Sequence, residues 1–211
     1  MNPSLIRNFC VVSHIDHGKT TLTDRFLELT KTVKTAERYL DSNPIEKERG
    51  ITIKLAPVRM LYENYVLNLI DTPGHVDFSY EVSRSLAACE GAILLVDATQ
   101  GIQAQTLANA YKAIEQNLML IPVINKIDLP NAEIEPTKLA LIDSFGFKRE
   151  EILTISAKTG ANLIQLIKAV IERVPAPGGS DEQPLQALVF NSFYHPHWGV
   201  IVSVRLVNGR V

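Results

Sequence analysis

This sequence of 211 residues has few cysteines, little excess of one charge and no long apolar run. Its two cysteines, Cys10 and Cys89, lie in apolar runs without a CxxC spacing, so we interpret them as small buried side chains in a reducing compartment rather than a disulfide or metal pair. The formal net charge of −2 excludes a global positive field that would attract nucleic acid. No run approaches the ~18 apolar residues that span a bilayer. Residues 1–7 lack the pattern of a signal peptide, so we expect a cytoplasmic protein, or an organellar one after removal of a transit peptide.

Short apolar runs alternate with helical patterns along most of the chain. Apolar side chains at a 3–4 spacing between Leu163 and Val174 indicate a helix with one buried face. Strands that alternate with helices need crossover connections, which predicts an α/β fold with a mostly parallel sheet covered on both faces. The predicted strands span residues 8–13, 58–62, 66–71, 92–97, 118–125 and 152–156, and the other helices follow Gly18, Val76, Gln103 and Glu135.

Two segments depart from this alternation. Residues 31–53 form a long polar stretch, and a loop of that length inside a compact domain is usually functional. A later segment rich in proline and glycine predicts a linker, and the two strands predicted after it, at 185–193 and 200–207, cannot form a stable sheet alone. The predicted boundaries are residues 1–175 for a complete α/β domain, 176–184 for the linker and 185–211 for the opening of a truncated β domain.

A phosphate-binding loop is predicted where the first apolar run gives way to the first helix. In such a loop the backbone N–H groups and the helix N-terminus face the phosphates, where the partial positive charge of the helix favours an anion. Gly18 allows close approach, Lys19 supplies an ammonium to the β- and γ-phosphates, and Thr20 supplies a hydroxyl to Mg²⁺. The motif usually starts with glycine, so we expect Ser13 to cost more at a positive φ. The predicted nucleotide-binding residues of this loop are Ser13, His14, Ile15, Asp16, His17, Gly18, Lys19, Thr20 and Thr21.

A second motif, Asp71-Thr72-Pro73-Gly74, ends the third predicted strand. A carboxylate at that point can hold Mg²⁺ through water, and the N–H of Gly74 can turn toward a γ-phosphate. Thr52, at the end of the long polar loop, is the natural second hydroxyl for the metal. The predicted metal ligands are therefore Thr20, Thr52 and Asp71. Because γ-phosphate and Mg²⁺ would hold both segments and hydrolysis would release them, the arrangement predicts a switch.

Two later motifs predict a base site. Asn125-Lys126-Ile127-Asp128 follows one apolar run, and Ser156-Ala157-Lys158 follows the next. The Asp128 carboxylate can accept hydrogen bonds from the N1–H and 2-amino groups of guanine together, whereas adenine offers no such pair. We expect Asn125 to brace the loop, the stem of Lys126 to cover the ring face, and a backbone N–H of the second motif to meet the guanine carbonyl. All four motifs lie at C-terminal strand ends, where ligands bind in an open α/β sheet.

These motifs resemble the signature segments of the translational GTPases, whose G domain is a three-layer α/β/α P-loop NTPase fold. Within that family, residues 78–92 and 103–109 are similar to the LepA group, also called elongation factor 4, and residues 191–200 look like the start of its β-barrel domain II. The resemblance covers essentially the whole chain. It implies a ribosome-dependent GTPase of the elongation cycle, of the fidelity or back-translocation type, that binds GTP with Mg²⁺ and hydrolyses it to GDP and phosphate.

The resemblance also implies partners and further domains. The ribosome, through rRNA and ribosomal proteins, and tRNA would be contacted by the full-length protein, which carries C-terminal domains that this chain lacks. A monomer is expected, either cytoplasmic or peripheral at the inner membrane.

The resemblance also implies roles for several individual residues. His75 matches the catalytic histidine that positions the attacking water, a role suited to phosphoryl transfer because that chemistry needs positioning above all. Ile15 and Ile51 match an apolar pair that screens the histidine, although ordinary loop packing explains them nearly as well. Asp16 matches a residue tied to the phosphate loop, either through a monovalent cation or as a bracing carboxylate.

Four further polar residues near these motifs have no predicted chemistry. His14 and His17 are expected to pack within the phosphate loop. Arg25 and Arg84 are expected at solvated helix positions, because the resembling family uses no arginine finger there.

Of four alternatives at the level of the sequence, two stay open and two are disfavoured. Another translational GTPase, of the elongation factor G or BipA type, shares the motifs. A GTP-binding switch module that is inactive as an isolated fragment is compatible with every motif. A P-loop kinase or ATPase shares residues 13–20 but has no reason to carry the motif at 125–128, and an RNA-binding protein is disfavoured because no basic stripe is present.

Overall fold

A computed structural model describes residues 2–32, 57–70 and 79–211. Eight strands and five α-helices alternate within these ranges, with short 3-10 helices at Pro3–Leu5 and Arg149–Glu151. The strands are β1 (Ile6–Ser13), β2 (Pro57–Tyr62), β3 (Tyr65–Ile70), β4 (Gly91–Asp97), β5 (Met119–Asn125), β6 (Leu153–Thr154), β7 (Gln186–His195) and β8 (Gly199–Asn208). The helices are α1 (Lys19–Leu29), α2 (Ser79–Ala87), α3 (Ala104–Glu115), α4 (Ile134–Phe145) and α5 (Leu163–Arg173).

The first six strands form one sheet in the order β2-β3-β1-β4-β5-β6. Only β2 runs antiparallel to its neighbour; the other pairs in this sheet are parallel. Every residue of the central strand β4 is buried, as expected for a strand covered on both faces. The predicted α/β fold with a mostly parallel sheet is confirmed.

Two apolar layers flank this sheet. Phe9 and Val11 of β1 face one way and pack in a cluster with residues of α1 and α5, whereas Cys10 and Val12 face the other way and pack with residues of α2, α3 and α4. The alternation follows from the two-residue period of a strand. The result is a three-layer α/β/α arrangement, and both cysteines are free thiols, as expected from the sequence.

The C-terminal ends of the parallel strands lie along one edge of the sheet. Strands β1, β4 and β5 end at Ser13, Asp97 and Asn125. Strand β6 has only two residues, shorter than the predicted 152–156, because Ser156 already pairs with Ala161 in the loop that follows. The polar motifs that the structure describes therefore meet at this edge.

Strands β7 and β8 form a separate antiparallel hairpin that packs on the α/β domain. Phe190 is 5% exposed and lies against Ile70 and Ala88, and Arg205 forms an ion pair with Glu90. Alternate residues of β8 form an exposed apolar face, which is typical of a sheet face that packs against other strands. They are Val200, Val202, Val204 and Leu206. The hairpin is consistent with the beginning of a β-barrel, and the boundaries at 175 and 185 stay predictions.

Within the described ranges, the helices are too short or too polar for any of them to cross a membrane.

Candidate functional site

The phosphate loop connects β1 to α1 through two residues in left-handed backbone conformation. Asp16 has φ +62° and Gly18, the N-cap of α1, has φ +95°. A Cβ at Gly18 would lie 2.4 Å from Nδ2 of Asn125, so only glycine fits between the loop and the base motif. Ser13 ends β1 in strand conformation, and the expected cost of a serine at positive φ therefore does not arise.

The first turn of α1 presents groups suited to an anion and a cation. Lys19 is its first residue, and the side chains of Thr20 and Thr21 are exposed. Among the described residues no side chain caps the N-terminus of α1, whose N–H groups lie at the positive end of the helix dipole, the end that favours a phosphate. The buried hydroxyl of Ser13 has no hydrogen-bond partner among the described residues, which leaves a donor at the same loop.

Asn125 joins the phosphate loop to the base motifs. Its Nδ2 donates to the carbonyl oxygen of His17 at 2.9 Å, and its Oδ1 accepts from the N–H of Ala157 at 2.9 Å. The side chain is 1% exposed, so both bonds form away from bulk water. Because a buried amide that loses such partners is costly, Asn125 fixes three segments relative to one another.

Asp128 is held at the entrance of the base site by Ser156. The hydroxyl of Ser156 donates to Oδ1 of Asp128 at 2.6 Å and accepts from the N–H of Thr159 at 3.1 Å. The hydrogen bond from Ser156 lowers the pKa of Asp128, with smaller contributions from Lys158 and Lys126. The carboxylate is therefore ionised at neutral pH and has further lone pairs for donors of a ligand.

Lys126 is oriented by Asp97, a residue that the sequence reasoning did not assign. Nζ of Lys126 lies 2.7 Å from Oδ2 of Asp97, whose side chain is fully buried, and Lys126 has φ +63°. Burial alone would raise the pKa of Asp97, but hydrogen bonds from Lys126 and Thr99 outweigh it and hold that pKa below its ordinary value. Its position at the C-terminal end of a buried strand is a signal that could have marked Asp97 as a candidate site residue.

The two histidines of the phosphate loop pack against its neighbours. The ring of His17 is buried, and its Nδ1 accepts from the N–H of Asp97 at 3.3 Å. Burial lowers the pKa of His17, so the ring is neutral at neutral pH. His14 lies edge-to-face against His17, at 5.4 Å between ring centroids, and its Nδ1 is 2.9 Å from Oε1 of Gln105.

Of the two arginines considered above, Arg84 lies at an exposed helix position, as expected, whereas Arg25 is only partly exposed. Arg25 donates from α1 to the backbone carbonyls of Ala157 and Lys158. Arg84 lies over the ring of Tyr80 in its own helix, at 4.3 Å from the centroid, and donates to the tyrosine hydroxyl. The contact of Arg25 with the base motif has no signature in the sequence.

Several predicted site residues lie outside the described part of the chain. They are Ile51, Thr52, Asp71, Gly74 and His75. Of the three predicted magnesium ligands the structure therefore describes only Thr20, and the groups of acidic, histidine and cysteine side chains that it does describe include no cluster of three or more suited to a metal ion. Ile15 is half-buried in the phosphate loop, and Ile127 packs against the core.

Comparison with known proteins gives one family and a consistent set of relatives. The family model for the elongation factor Tu GTP-binding domain matches residues 4–176. Elongation factor 4 of Thermotoga maritima is 58% identical over 217 residues, covering 99% of this chain and 35% of that protein. Elongation factor 4 of Chlorobium luteolum is 56% identical over 215 residues, with 98% and 36% covered. The chain thus spans about a third of the length of the curated relatives it matches.

Solved structures agree on the fold. A bacterial selenocysteine-specific elongation factor superposes with a TM-score of 0.76 at 27% identity, covering 96% of this chain and 34% of that one. A protein of Thermus thermophilus superposes with a TM-score of 0.75 at 19% identity, covering 99% and 46%, and supports the fold alone.

Proposed function

This chain belongs to the family of the elongation factor Tu GTP-binding domain and is of the LepA type, and from that premise we propose that it binds GTP with Mg²⁺ and hydrolyses it to GDP and phosphate. The observation that carries the proposal is the pair of hydrogen bonds that Asn125 makes, as donor to the carbonyl of His17 and as acceptor from the N–H of Ala157, because they hold the phosphate loop and the base motifs as one site. The full-length protein acts in this proposal on the ribosome and with tRNA, in the cytoplasm.

The described residues of the phosphate loop and the base motifs have the following binding roles in this proposal. The N–H groups of residues 13–18 and of the first turn of α1 surround the phosphates, and Lys19 reaches their outer oxygens. Asp128 accepts from the N1–H and 2-amino groups of guanine, while Lys126 lies over the ring with its ammonium held by Asp97. Asp128 also rejects adenine, because adenine would leave its charge unpaired.

Magnesium fits the residues that would hold it. The exposed Thr20 hydroxyl in the first turn of α1, with the Thr52 hydroxyl and the Asp71 carboxylate predicted from the sequence, would provide an all-oxygen set of the kind that Mg²⁺ prefers. The ion, when bound, neutralises charge on the transferred phosphoryl group. Thr20 is placed beside the phosphate loop because it directly follows Lys19, the first residue of α1.

We propose that His75 positions the attacking water, with Ile15 and Ile51 beside it. The role follows from its place directly after Gly74 and from the family resemblance. Activation by the ribosome is part of this proposal, so hydrolysis by the isolated chain is expected to be slow.

We predict that Lys19→Ala weakens GTP binding. The change removes a charge-assisted contact to phosphate worth about 1.5–3 kcal/mol, which corresponds to a loss of roughly ten- to a hundredfold in affinity. Isothermal titration calorimetry of GTP into the 211-residue chain measures it. Lys168→Ala, on the exposed side of α5, is the matched control and should bind as the wild type does. Equal GTP affinity in Lys19→Ala would remove this residue from the site.

We predict that a chain ending at Pro175 binds GDP with unchanged affinity but unfolds more easily. The hairpin contributes no residue to the proposed site, yet Phe190 covers Ile70 and Ala88. Losing a buried phenylalanine costs about 1.5–3 kcal/mol of unfolding free energy. Self-association should also fall, because the exposed apolar face of β8 is gone.

Phe190→Ala in the 211-residue chain is the control for the truncation: it should reproduce the lower denaturation midpoint in urea without changing GDP affinity. Loss of GDP binding in the truncated chain would mean that the hairpin belongs to the nucleotide-binding domain and that the boundary at 175 is misplaced.

A further inference from the structure

Arg25 connects the helix that follows the phosphate loop to the loop of the base site. Its Nε donates to the carbonyl oxygen of Ala157 at 3.1 Å, and one terminal nitrogen donates to the carbonyl oxygen of Lys158 at 2.8 Å. The other terminal nitrogen lies 2.6 Å from Oε2 of Glu28, one turn along α1. All three guanidinium nitrogens therefore have a partner.

Two successive carbonyls are a target that suits arginine better than lysine. The guanidinium is a planar fork of donors in fixed geometry, whereas a lysine ammonium is a single point charge. The ion pair with Glu28 is partly solvated, with side chains 38% and 59% exposed, and ion pairs of that kind contribute little to stability. The ion pair therefore adds little stability, and the distinctive contacts of the guanidinium are its two hydrogen bonds to the base-site loop.

The orientation that Arg25 imposes concerns one peptide plane. The carbonyl of Ala157 and the N–H of Lys158 belong to the same planar trans peptide, so they point in opposite directions. A donor that holds the Ala157 carbonyl therefore turns the Lys158 N–H away from α1. Within this motif the N–H groups of Ser156 and Ala157 already donate to Ala161 and Asn125, which makes the Lys158 N–H the candidate donor to a ligand.

We propose that Arg25 is a positioning residue that fixes the Ala157–Lys158 peptide so that the Lys158 N–H meets the 6-oxygen of guanine. The inference rests on the proposed function. Because α1 begins at Lys19, the same side chain also joins the phosphate end of the site to its base end. Arg25 thereby sets how long a guanine nucleotide stays bound, without touching the nucleotide itself.

Arg25→Ala in the 211-residue chain tests the proposal through GDP dissociation and base selectivity. Release of a fluorescent GDP analogue, measured by stopped flow, should be about tenfold faster, as expected for a loosened hydrogen-bond donor. The preference for GDP over 6-thio-GDP should shrink. Sulfur is a weaker hydrogen-bond acceptor than oxygen, and this difference affects binding only while the Lys158 N–H points at position 6 of the base. The preference for GDP over IDP should stay, since IDP keeps the 6-oxygen and lacks only the amino group that faces Asp128.

Two further variants separate positioning from folding. Arg25→Lys should restore part of the slow release, because an ammonium reaches one of the two carbonyls. Arg84→Ala removes an arginine whose described contacts lie within its own helix, and it should release GDP as the wild type does. Urea denaturation of each variant reports folding independently of nucleotide.

The outcomes discriminate among three accounts. Release from Arg25→Ala at the wild-type rate would overturn the inference alone. Faster release with both selectivity ratios unchanged would make Arg25 a general support of the loop and would overturn its role toward the 6-oxygen. A wild-type chain without measurable GDP binding would overturn the proposed function and the inference with it.

Discussion

Asp128→Asn is expected to convert a GTP-binding chain into one that prefers XTP. Xanthine carries a carbonyl where guanine carries its 2-amino group, so an amide donor matches it, while the carboxylate matches guanine. The carboxylate is ionised and oriented by the Ser156 hydroxyl at 2.6 Å, so the wild-type selectivity has a defined geometric source. The ratio of GTP to XTP affinity should change by on the order of a hundredfold or more, as for sites built to pair with a specific donor.

Competition of XTP and GTP against a fluorescent GDP analogue measures this ratio. Asp143→Asn makes the same chemical change on an exposed position of α4 and should leave the preference for GTP intact. If Asp128→Asn keeps its GTP affinity and gains none for XTP, the assignment of the base site is wrong.

His75→Ala is expected to separate nucleotide binding from hydrolysis. In the proposed mechanism His75 positions only the attacking water, so GDP affinity should be unchanged and GTP affinity nearly so. Hydrolysis stimulated by ribosomes should fall by about 10² or more, the size expected for loss of a positioning or proton-handling group. The isolated 211-residue chain should show a small effect, because ribosomal activation is absent there.

Multiple-turnover phosphate release by the full-length protein, with and without ribosomes, measures the effect of His75→Ala. His197→Ala, at an exposed position between β7 and β8, is the matched control and should hydrolyse GTP at the wild-type rate. Ordinary ribosome-stimulated turnover in His75→Ala would exclude the catalytic role. Loss of GDP binding would instead make His75 a structural residue of its loop.

The α/β fold was predictable because its signals are local. Buried parallel strands are short continuous apolar runs, and their C-terminal ends carry the polar motifs, so strand prediction also located the site. Strand β4 illustrates this: the predicted range 92–97 differs from the observed Gly91–Asp97 by one residue. Strand β6 was overestimated, since residues 155 and 156 keep an apolar-polar pattern typical of a strand although Ser156 already pairs within the next loop.

The contacts that hold the site together were less accessible, since they join residues far apart in the sequence. Arg25 and Ala157 are separated by 132 positions, and no periodicity relates them. Nor does the sequence reveal that the ammonium of Lys126 pairs with Asp97, because that contact depends on the register of β4 beside β5. The expectation for Ser13 was wrong because the motif does not show which residues of the loop take a positive φ angle. In the structure they are Asp16 and Gly18.

The central claim is that one site in this chain combines phosphate binding with selection of guanine. Isothermal titration calorimetry of GDP and of ADP into the 211-residue chain, in buffer containing Mg²⁺, tests it most directly. We expect a single saturable site for GDP and an ADP affinity weaker by on the order of a hundredfold or more, because adenine leaves Asp128 without its pair of donors. Equal affinities for the two nucleotides, or no heat of binding with GDP, would contradict it.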